Sequence, residues 1–229
     1  MQLRQLFDPT SSTYSYLLWD ETSLKAVIID PVIEQSTRDI ALIRELQLNL
    51  LYSLETHIHA DHITGGSLLR ETFGCKLGVH GNADTTCTDL LLEDGDSLAF
   101  GEHELRVVHT PGHTNTDISY LTDGIVFTGD TLLIRGSGRI DFQSGDPGSS
   151  YDSITNKLFT LPEQTIVYPA HDYRGFRSTT IGEEKKYNMR LGGGVNREAY
   201  IDEMRSLKLE RPEKMDIAVP GNLRCGADK

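Results

Sequence analysis

The sequence predicts an α+β protein in which two mixed β-sheets pack on each other with helices on their outer faces. Two observations indicate this class. Short β-branched strands alternate with a few amphipathic helices, and the middle of the chain is rich in strands, with helices before and after. Because each sheet needs both faces covered, two layers of strands between helices satisfy this order.

The predicted strands are short apolar or β-branched runs bounded by Gly, Pro, Asp or Asn. In chain order they are Gln2–Phe7, Tyr14–Trp19, Ala26–Asp30, Asn49–Glu55, Lys76–His80, Glu104–His109, Ile118–Leu121, Ile125–Thr128 and Thr165–Tyr168. The predicted helices follow an apolar period of three to four residues. They are Ser36–Leu46, Gly66–Phe73, Ser150–Leu158, Glu183–Arg190 and Arg197–Leu207.

We expect a single domain over residues 1–229, because no repeat, low-complexity segment or clear linker interrupts its first 180 residues. The run Gly192–Gly194 breaks the helical pattern, and Arg211-Pro212 ends the next helix. Residues 183–229 are therefore predicted as a C-terminal extension that packs on the domain.

Charge and cysteine content restrict the partners and the compartment. With 22 basic and 34 acidic side chains the formal charge is -12, which argues against nucleic acid or an anionic membrane as the main partner. Cys75, Cys87 and Cys225 are an odd number without a Cys-x-x-Cys pair, so we expect neither a disulfide framework nor a thiolate zinc cage. Residues 1–10 lack the apolar core of a signal peptide, and the predicted location is the cytoplasm.

A metal-ligand pattern begins directly after the apolar run Leu50–Leu54, where Thr56–His62 holds three imidazoles and a carboxylate. Histidine is a common ligand for zinc and iron, and the ends of strands let separate segments aim side chains at one point. Further His and Asp residues occupy turns after other predicted strands. The full set is His57, His59, Asp61, His62, His113, Asp130 and His171.

These clusters resemble those of the metallo-β-lactamase superfamily, an αββα sandwich with its metal site at one edge of the two sheets. Within the superfamily, the segments 128–143, 170–175 and 218–226 resemble the persulfide dioxygenases. The resemblance spans nearly the whole chain.

The resemblance implies one ferrous ion per chain, held by His57, His113 and Asp130 as the catalytic centre, with water in the remaining positions. The other four residues would orient these ligands through hydrogen bonds. In binuclear hydrolase relatives, however, the same four bind metal directly. Because every residue needed for two metals is present, the sequence leaves the metal count open. The four residues are His59, Asp61, His62 and His171.

The resemblance implies that glutathione persulfide, dioxygen and water give sulfite and glutathione. It also implies that Arg139, Asp141 and Tyr173 border the glutathione pocket, where Arg139 would grip a carboxylate with two hydrogen bonds. The alternative is that Arg139 pairs with Asp141 or Asp146 and braces the loop.

Other residues near these motifs are weaker candidates for substrate binding or catalysis. Arg135 and Arg174 are read as solvated or structural, and Cys225 is assigned no catalytic role. Many relatives have Cys where this chain has Ser137, so no thiol is needed at that position.

Two rival functions remain. A glyoxalase-II-type thioester hydrolase with two metals is permitted by the ligand set, but only 58 residues follow His171, and they resemble the dioxygenase ending. A non-enzymatic persulfide or metal sensor would predict the loss of at least one ligand, and none is lost. Relatives pair through their surfaces, so a homodimer is also expected, although the sequence shows no interface.

Overall fold

A computed structural model describes residues 1–227. Their contacts divide the chain into two compact units, each described here by itself. The first unit comprises Met1–Leu92, Ser97–Leu105 and the chain from Arg211 onward, and the second comprises Glu93–Asp96 and Arg106–Glu210. The expectation of one domain over residues 1–229 stays a prediction.

The first sheet lies in the first unit and has its six strands in chain order. They are β1 (Gln2–Asp8), β2 (Thr13–Trp19), β3 (Lys25–Ile29), β4 (Asn49–Leu54), β5 (Lys76–His80) and β6 (Leu90–Leu92). β1, β2 and β3 pair antiparallel, whereas β3 to β6 pair parallel. Every residue of β2 is buried, and five of its seven side chains are apolar or aromatic.

The remaining strands are β7 (Ser97–Phe100), β8 (His103–His109), β9 (Ile118–Thr122), β10 (Ile125–Gly129), β11 (Leu132–Leu133), β12 (Gly136–Ser137), β13 (Ile166–Pro169) and β14 (Thr179–Thr180). Six of them form the second sheet, in the order β14-β13-β10-β9-β8-β7. β10 pairs parallel with β13 and antiparallel with β9, so both sheets are of the predicted mixed type. β11 and β12 form a separate two-stranded ribbon.

Among residues 1–227, six α-helices flank the sheets: α1 (Ser36–Glu45), α2 (Gly66–Phe73), α3 (Pro147–Asn156), α4 (Ile181–Tyr187), α5 (Arg197–Ser206) and α6 (Met215–Asn222). Side chains cap three of them, because Asp146, Thr180 and Asn196 accept hydrogen bonds from backbone N–H groups in the first turns of α3, α4 and α5. Tyr200 and Met204 of α5 are buried in the core of the second unit.

Every predicted strand and helix is present, with ends that differ by a few residues. Five short strands and one helix were not predicted. They are β6, β7, β11, β12, β14 and α6. These five strands hold only two to four residues each, too few for a clear apolar alternation. α6 contains Pro220, which in sequence argues against a helix.

The expectation that the three cysteines form no disulfide framework is wrong for two of them, because Cys87 and Cys225 form a disulfide. The two residues are 138 positions apart, so only the fold could reveal the pair. Cys75 is a buried free thiol, and burial raises its pKa to about 11.

Within residues 1–227, no helix is both long and apolar enough to cross a membrane.

Candidate metal centre

Three buried imidazoles lie together in the first unit, in the loop between β4 and α2. The ring centroids of His57 and His59 are 4.0 Å apart, and those of His59 and His62 are 4.2 Å apart. Asp61 adds a carboxylate, whose Oδ2 lies 3.0 Å from Nδ1 of His62. Ligand atoms of His59, Asp61 and His62 all lie within 4.8 Å of one another. The first unit therefore holds together all four residues that the sequence predicted in this loop.

A short chain of hydrogen bonds orients His57. Its Nδ1 lies 3.1 Å from Oγ1 of Thr56, and that hydroxyl donates to Oδ2 of Asp30 at 2.9 Å. Because the hydroxyl proton goes to Asp30, Nδ1 of His57 must be the donor in the first bond. His57 would then offer Nε2 to a metal ion, as is usual for histidine ligands whose other nitrogen is held by a neighbour.

Carboxylates surround His59. Its Nε2 lies 3.1 Å from Asp30 Oδ1 and 3.6 Å from Glu55 Oε2, and its Nδ1 lies 3.8 Å from Asp61 Oδ1. Burial alone lowers the pKa of His59, but the three carboxylates outweigh it and raise the pKa to about 10. Burial raises the pKa of Glu55 to about 8. Nε2 of His59 therefore faces Asp30 and Glu55, and Nδ1 faces Asp61.

Two neighbouring parallel strands of the second unit bring Asp130 and His171 together. Asp130 follows β10, and His171 comes shortly after β13. Because the two strands are parallel, both residues lie at the same edge of the sheet. His171 Nε2 lies 3.7 Å from Asp130 Oδ1, and His113 Nε2 lies 3.6 Å from Asp130 Oδ2. Two ligands at ~2.1 Å from one ion are separated by roughly 3–3.4 Å, so these distances are near those of shared ligands.

The backbone around Arg139 fixes the orientation of His113. Nδ1 of His113 lies 2.7 Å from the carbonyl oxygen of Arg139, so Nε2 faces Asp130. Gly138 permits this approach, because a Cβ there would lie 2.3 Å from the carbonyl oxygen of Asp130 and 3.1 Å from the His113 side chain. This loop therefore positions His113 through its backbone.

Orphaned atoms indicate that these residues fit a cation. Among residues 1–227, Asp130 Oδ1 and His62 Nε2 are buried and have no hydrogen-bond partner. A buried polar atom without a partner is costly, and a metal ion or a metal-bound water at either atom would satisfy it. The donor set of imidazoles and carboxylates suits zinc or iron.

The predicted substrate residues make firm contacts within the second unit. Arg139 forms two hydrogen bonds with the carboxylate of Asp141, at 2.7 and 2.8 Å, and donates to the carbonyl oxygens of Leu209 and Glu210. Tyr173 is 75% exposed and stacks on His171, with 5.9 Å between the ring centroids. The geometry thus favours the bracing alternative for Arg139, and its role in substrate binding stays a prediction.

Sequence reasoning missed two supporting residues of the loop in the first unit. Asp30 directly follows β3, and an apolar run followed by Asp is the same signal that identified Asp130. Asn222 gave no such signal. Its side chain donates to the carbonyl oxygens of His59 and His62, both at 2.9 Å, and accepts from the N–H of Thr64 at 2.8 Å.

The family of the chain follows from comparison with known proteins. A model of the metallo-beta-lactamase superfamily matches residues 8–171, which include all seven predicted metal-site residues. The chain belongs to this superfamily. The predicted fold class, two mixed sheets flanked by helices, is thereby confirmed.

The most informative relatives are persulfide dioxygenases. Human mitochondrial persulfide dioxygenase ETHE1 is 47% identical over 227 residues, which cover 98% of this chain and 88% of the human protein. The crystal structure of ETHE1 from Myxococcus xanthus is 48% identical, with a TM-score of 0.96, and the match covers 99% of this chain and 100% of that chain. The predicted resemblance to this family is confirmed.

A more distant structural neighbour is the protein TTHA1623, solved in a di-iron-bound form. It is 26% identical, with a TM-score of 0.67, and the match covers 81% of this chain and 98% of that chain. Its two irons belong to that protein, and they illustrate the alternative of two metals.

Proposed function

We propose that this protein is a persulfide dioxygenase, an oxidoreductase that transfers both atoms of dioxygen to the outer sulfur of a persulfide. The observation that carries the proposal is the 47% identity to human persulfide dioxygenase over 98% of the chain. The related structure from Myxococcus xanthus supports it at similar identity.

We further propose that one ferrous ion binds to His57, His113 and Asp130. Two imidazoles and one carboxylate form the set of protein ligands typical of non-haem iron oxygenases. When bound, ferrous iron would supply open coordination positions for the persulfide sulfur and for dioxygen. Asp130 Oδ1, which is buried without a hydrogen-bond partner among residues 1–227, supports Asp130 as a metal ligand.

The chain would contribute orientation and charge around this centre. The Thr56–Asp30 pair holds the Nδ1 proton of His57, and the carbonyl of Arg139 holds that of His113, so both imidazoles keep one tautomer. The remaining four residues would orient ligands and water through hydrogen bonds. They are His59, Asp61, His62 and His171.

Glutathione persulfide is the proposed substrate. One persulfide, one dioxygen and one water would give one sulfite, one glutathione and two protons, with the outer sulfur oxidised and dioxygen reduced. The chain carries a formal charge of -12, so the two carboxylates of glutathione would need a local basic site.

Location and assembly remain proposals. The sequence predicts the cytoplasm, whereas the human relative is named as mitochondrial. The Cys87–Cys225 disulfide is also a bond that a reducing compartment tends to open. A homodimer is expected from the resemblance to relatives that pair.

The test is oxygen uptake by iron-loaded protein with glutathione persulfide, with sulfite measured in parallel. The same preparation, and protein loaded with zinc, would be assayed for hydrolysis of an acyl-glutathione thioester. Persulfide-dependent uptake with one sulfite per dioxygen would support the proposal. Thioester cleavage without uptake would instead identify a binuclear hydrolase, with the four surrounding residues as metal ligands.

A further inference from the structure

Thr13 is the first residue of β2, and its buried side chain contacts the loop that carries the imidazoles of the first unit. Its hydroxyl donates a hydrogen bond to Oδ2 of Asp61 at 2.9 Å and lies 3.3 Å from Nδ1 of His62. Nδ1 of His62 lies 3.0 Å from the same carboxylate oxygen. One oxygen of Asp61 therefore meets both the hydroxyl of Thr13 and the ring of His62.

The strand pairing and a second hydroxyl hold Thr13 in this position. Thr13 is the partner of Asp8 in the antiparallel pair of β1 and β2. Oγ of Ser11 lies 2.7 Å from Oγ1 of Thr13 and donates to Oδ2 of Asp8 at 2.7 Å. The other oxygen of Asp8 accepts a hydrogen bond from the side chain of Gln35 at 2.7 Å. The hydroxyl of Thr13 is thus fixed by the turn between the two strands.

The contact with Asp61 also fixes the proton of His62. A carboxylate oxygen accepts hydrogen bonds, so Nδ1 of His62 carries the hydrogen and Nε2 is left as an acceptor. Among residues 1–227, this Nε2 is buried and has no hydrogen-bond partner. The nitrogen that is available to an ion or a water is therefore Nε2, whereas Asp61 lies at the other nitrogen of the ring.

This arrangement separates two residues that proximity alone would assign to one ion. Ligand atoms of His59, Asp61 and His62 lie within 4.8 Å of one another. However, the two nitrogens of an imidazole point in directions roughly 140° apart. An ion ~2.1 Å from Nε2 of His62 would therefore lie roughly 7 Å from an oxygen that is hydrogen-bonded to Nδ1. The second oxygen of the same carboxylate is too close to the first to reach that ion.

We propose that Thr13 is a positioning residue that holds Asp61 at Nδ1 of His62 and thereby keeps the metal centre mononuclear. An ion on the Nδ1 side would have to displace the proton of His62 and compete with the hydroxyl of Thr13 for Asp61. This inference rests on the proposed function, because it explains how a chain with every residue needed for two metals would hold one iron. It assigns the metal count to a residue outside the set of candidate ligands.

The first test counts metal ions on variants of Thr13. Metal-free protein is loaded with excess zinc, dialysed, and analysed for zinc per chain, and the experiment is repeated with ferrous ion without oxygen. Thr13→Val keeps the shape of the side chain but removes the hydroxyl, so Asp61 can turn toward an ion. Wild type should hold one ion per chain, and Thr13→Val should approach two. Thr13→Ser should hold one, because it restores the hydroxyl.

A calorimetric titration with zinc gives the size of the effect. The second zinc should bind to Thr13→Val about 10- to 100-fold more tightly than any second zinc binds to the wild type, the range for one hydrogen bond to a charged group. Thr10→Val is the matched control, because Thr10 is exposed and lies in the same turn. It should bind zinc as the wild type does.

Two results of these experiments would overturn the proposal. One is a wild type that holds two ions per chain. The other is a Thr13→Val protein that holds only one, with no gain in affinity for a second. A merely structural role of Thr13 gives the latter result, with a lower melting temperature but an unchanged metal count.

The second test needs no variant of Thr13, so it stands even if Thr13→Val fails to fold. Nitrogen NMR of histidine-labelled, metal-free wild type shows which ring nitrogen of His62 carries the proton. His62→Gln, which lacks these signals, assigns them. The structure predicts a proton on Nδ1. A proton on Nε2 would overturn the proposal, because Asp61 would then not be held at Nδ1.

The outcomes separate this inference from the proposed function. One ion in the wild type and two in Thr13→Val, without persulfide-dependent oxygen uptake by the iron-loaded wild type, would leave the role of Thr13 standing and sink the dioxygenase proposal. Normal oxygen uptake with equal metal counts in both proteins would overturn the role of Thr13 alone.

Discussion

His113 donates its Nδ1–H to the carbonyl oxygen of Arg139, with 2.7 Å between the two atoms. A carbonyl oxygen can only accept, so this contact fixes the tautomer of the histidine and leaves Nε2 as its metal-binding atom. The side chain of Arg139 in turn holds Asp141 and the carbonyl oxygens of Leu209 and Glu210. The loop that carries Arg139 therefore connects a proposed ligand to the segment after α5.

This connection predicts that Arg139→Ala acts through stability. Loss of the hydrogen bonds to Asp141 and to the two carbonyl oxygens should lower the free energy of unfolding by about 1–3 kcal/mol. Urea unfolding of the variant would measure this loss of stability. Arg106→Ala, at an exposed position of β8, is the control. An unchanged unfolding midpoint together with a raised KM for glutathione persulfide would instead support the predicted role of Arg139 in substrate binding.

Removal of one proposed ligand should remove the metal. Asp130→Asn exchanges a charged oxygen for a neutral amide next to His113 and His171, so we expect loss of most bound iron and at least about a 100-fold loss of oxygen uptake. Metal analysis of the purified variant measures the first effect. The matched control is Asp202→Asn on the exposed side of α5, which should keep its iron. Full iron occupancy with normal turnover in Asp130→Asn contradicts the ligand assignment.

The disulfide should contribute to stability. Cys87 and Cys225 close a loop with a sequence separation of 138, and such a crosslink restricts the unfolded chain. Cys87→Ser should lower the free energy of unfolding by about 2–5 kcal/mol. A dithiol reductant should destabilise the wild type by a similar amount and leave the variant unchanged. Equal sensitivity of both proteins to the reductant would show that the bond is absent in solution.

Sequence patterns predicted those parts of the molecule that have a local cause. Each predicted strand is an apolar run with turn residues at its ends, and the metal-site residues follow such runs at the point where the chain turns. Asp30 has the same local pattern and was missed only because it stands alone in sequence. Helix α6 escaped prediction because Pro220 opposes a helix locally, whereas burial of Ala218 and Asn222 stabilises it in the fold.

Other features depend on residues that are far apart in the chain. The Cys87–Cys225 bond, the pairing of Arg135 with Glu184, and the contact of Asn222 with Thr64 join segments separated by 138, 49 and 158 positions. No local pattern encodes such pairs, because each partner reads as an ordinary polar or small residue by itself. The same holds for a cavity of about 210 Å³ in the second unit, whose lining comes from three separate segments of the chain.

The long-range contact of Asn222 gives the last prediction. Its buried side chain bonds the carbonyl oxygens of His59 and His62 and the N–H of Thr64, so it holds the loop that carries the imidazoles of the first unit. Asn222→Ala leaves these backbone groups buried without a partner, which should lower the free energy of unfolding by about 2–4 kcal/mol. Because the loop loses its support, iron affinity should also fall about 10- to 100-fold.

Two measurements separate these effects, urea unfolding of the metal-free protein and a competition titration for iron with a chelator. Asn49→Ala is the matched control, because Asn49 is an exposed residue at the start of β4 and its loss should change neither quantity. If Asn222→Ala lowers stability but binds iron as tightly as the wild type, the loop keeps its shape without Asn222. The hydrogen bonds of Asn222 would then stabilise the fold of the first unit without positioning the metal ligands.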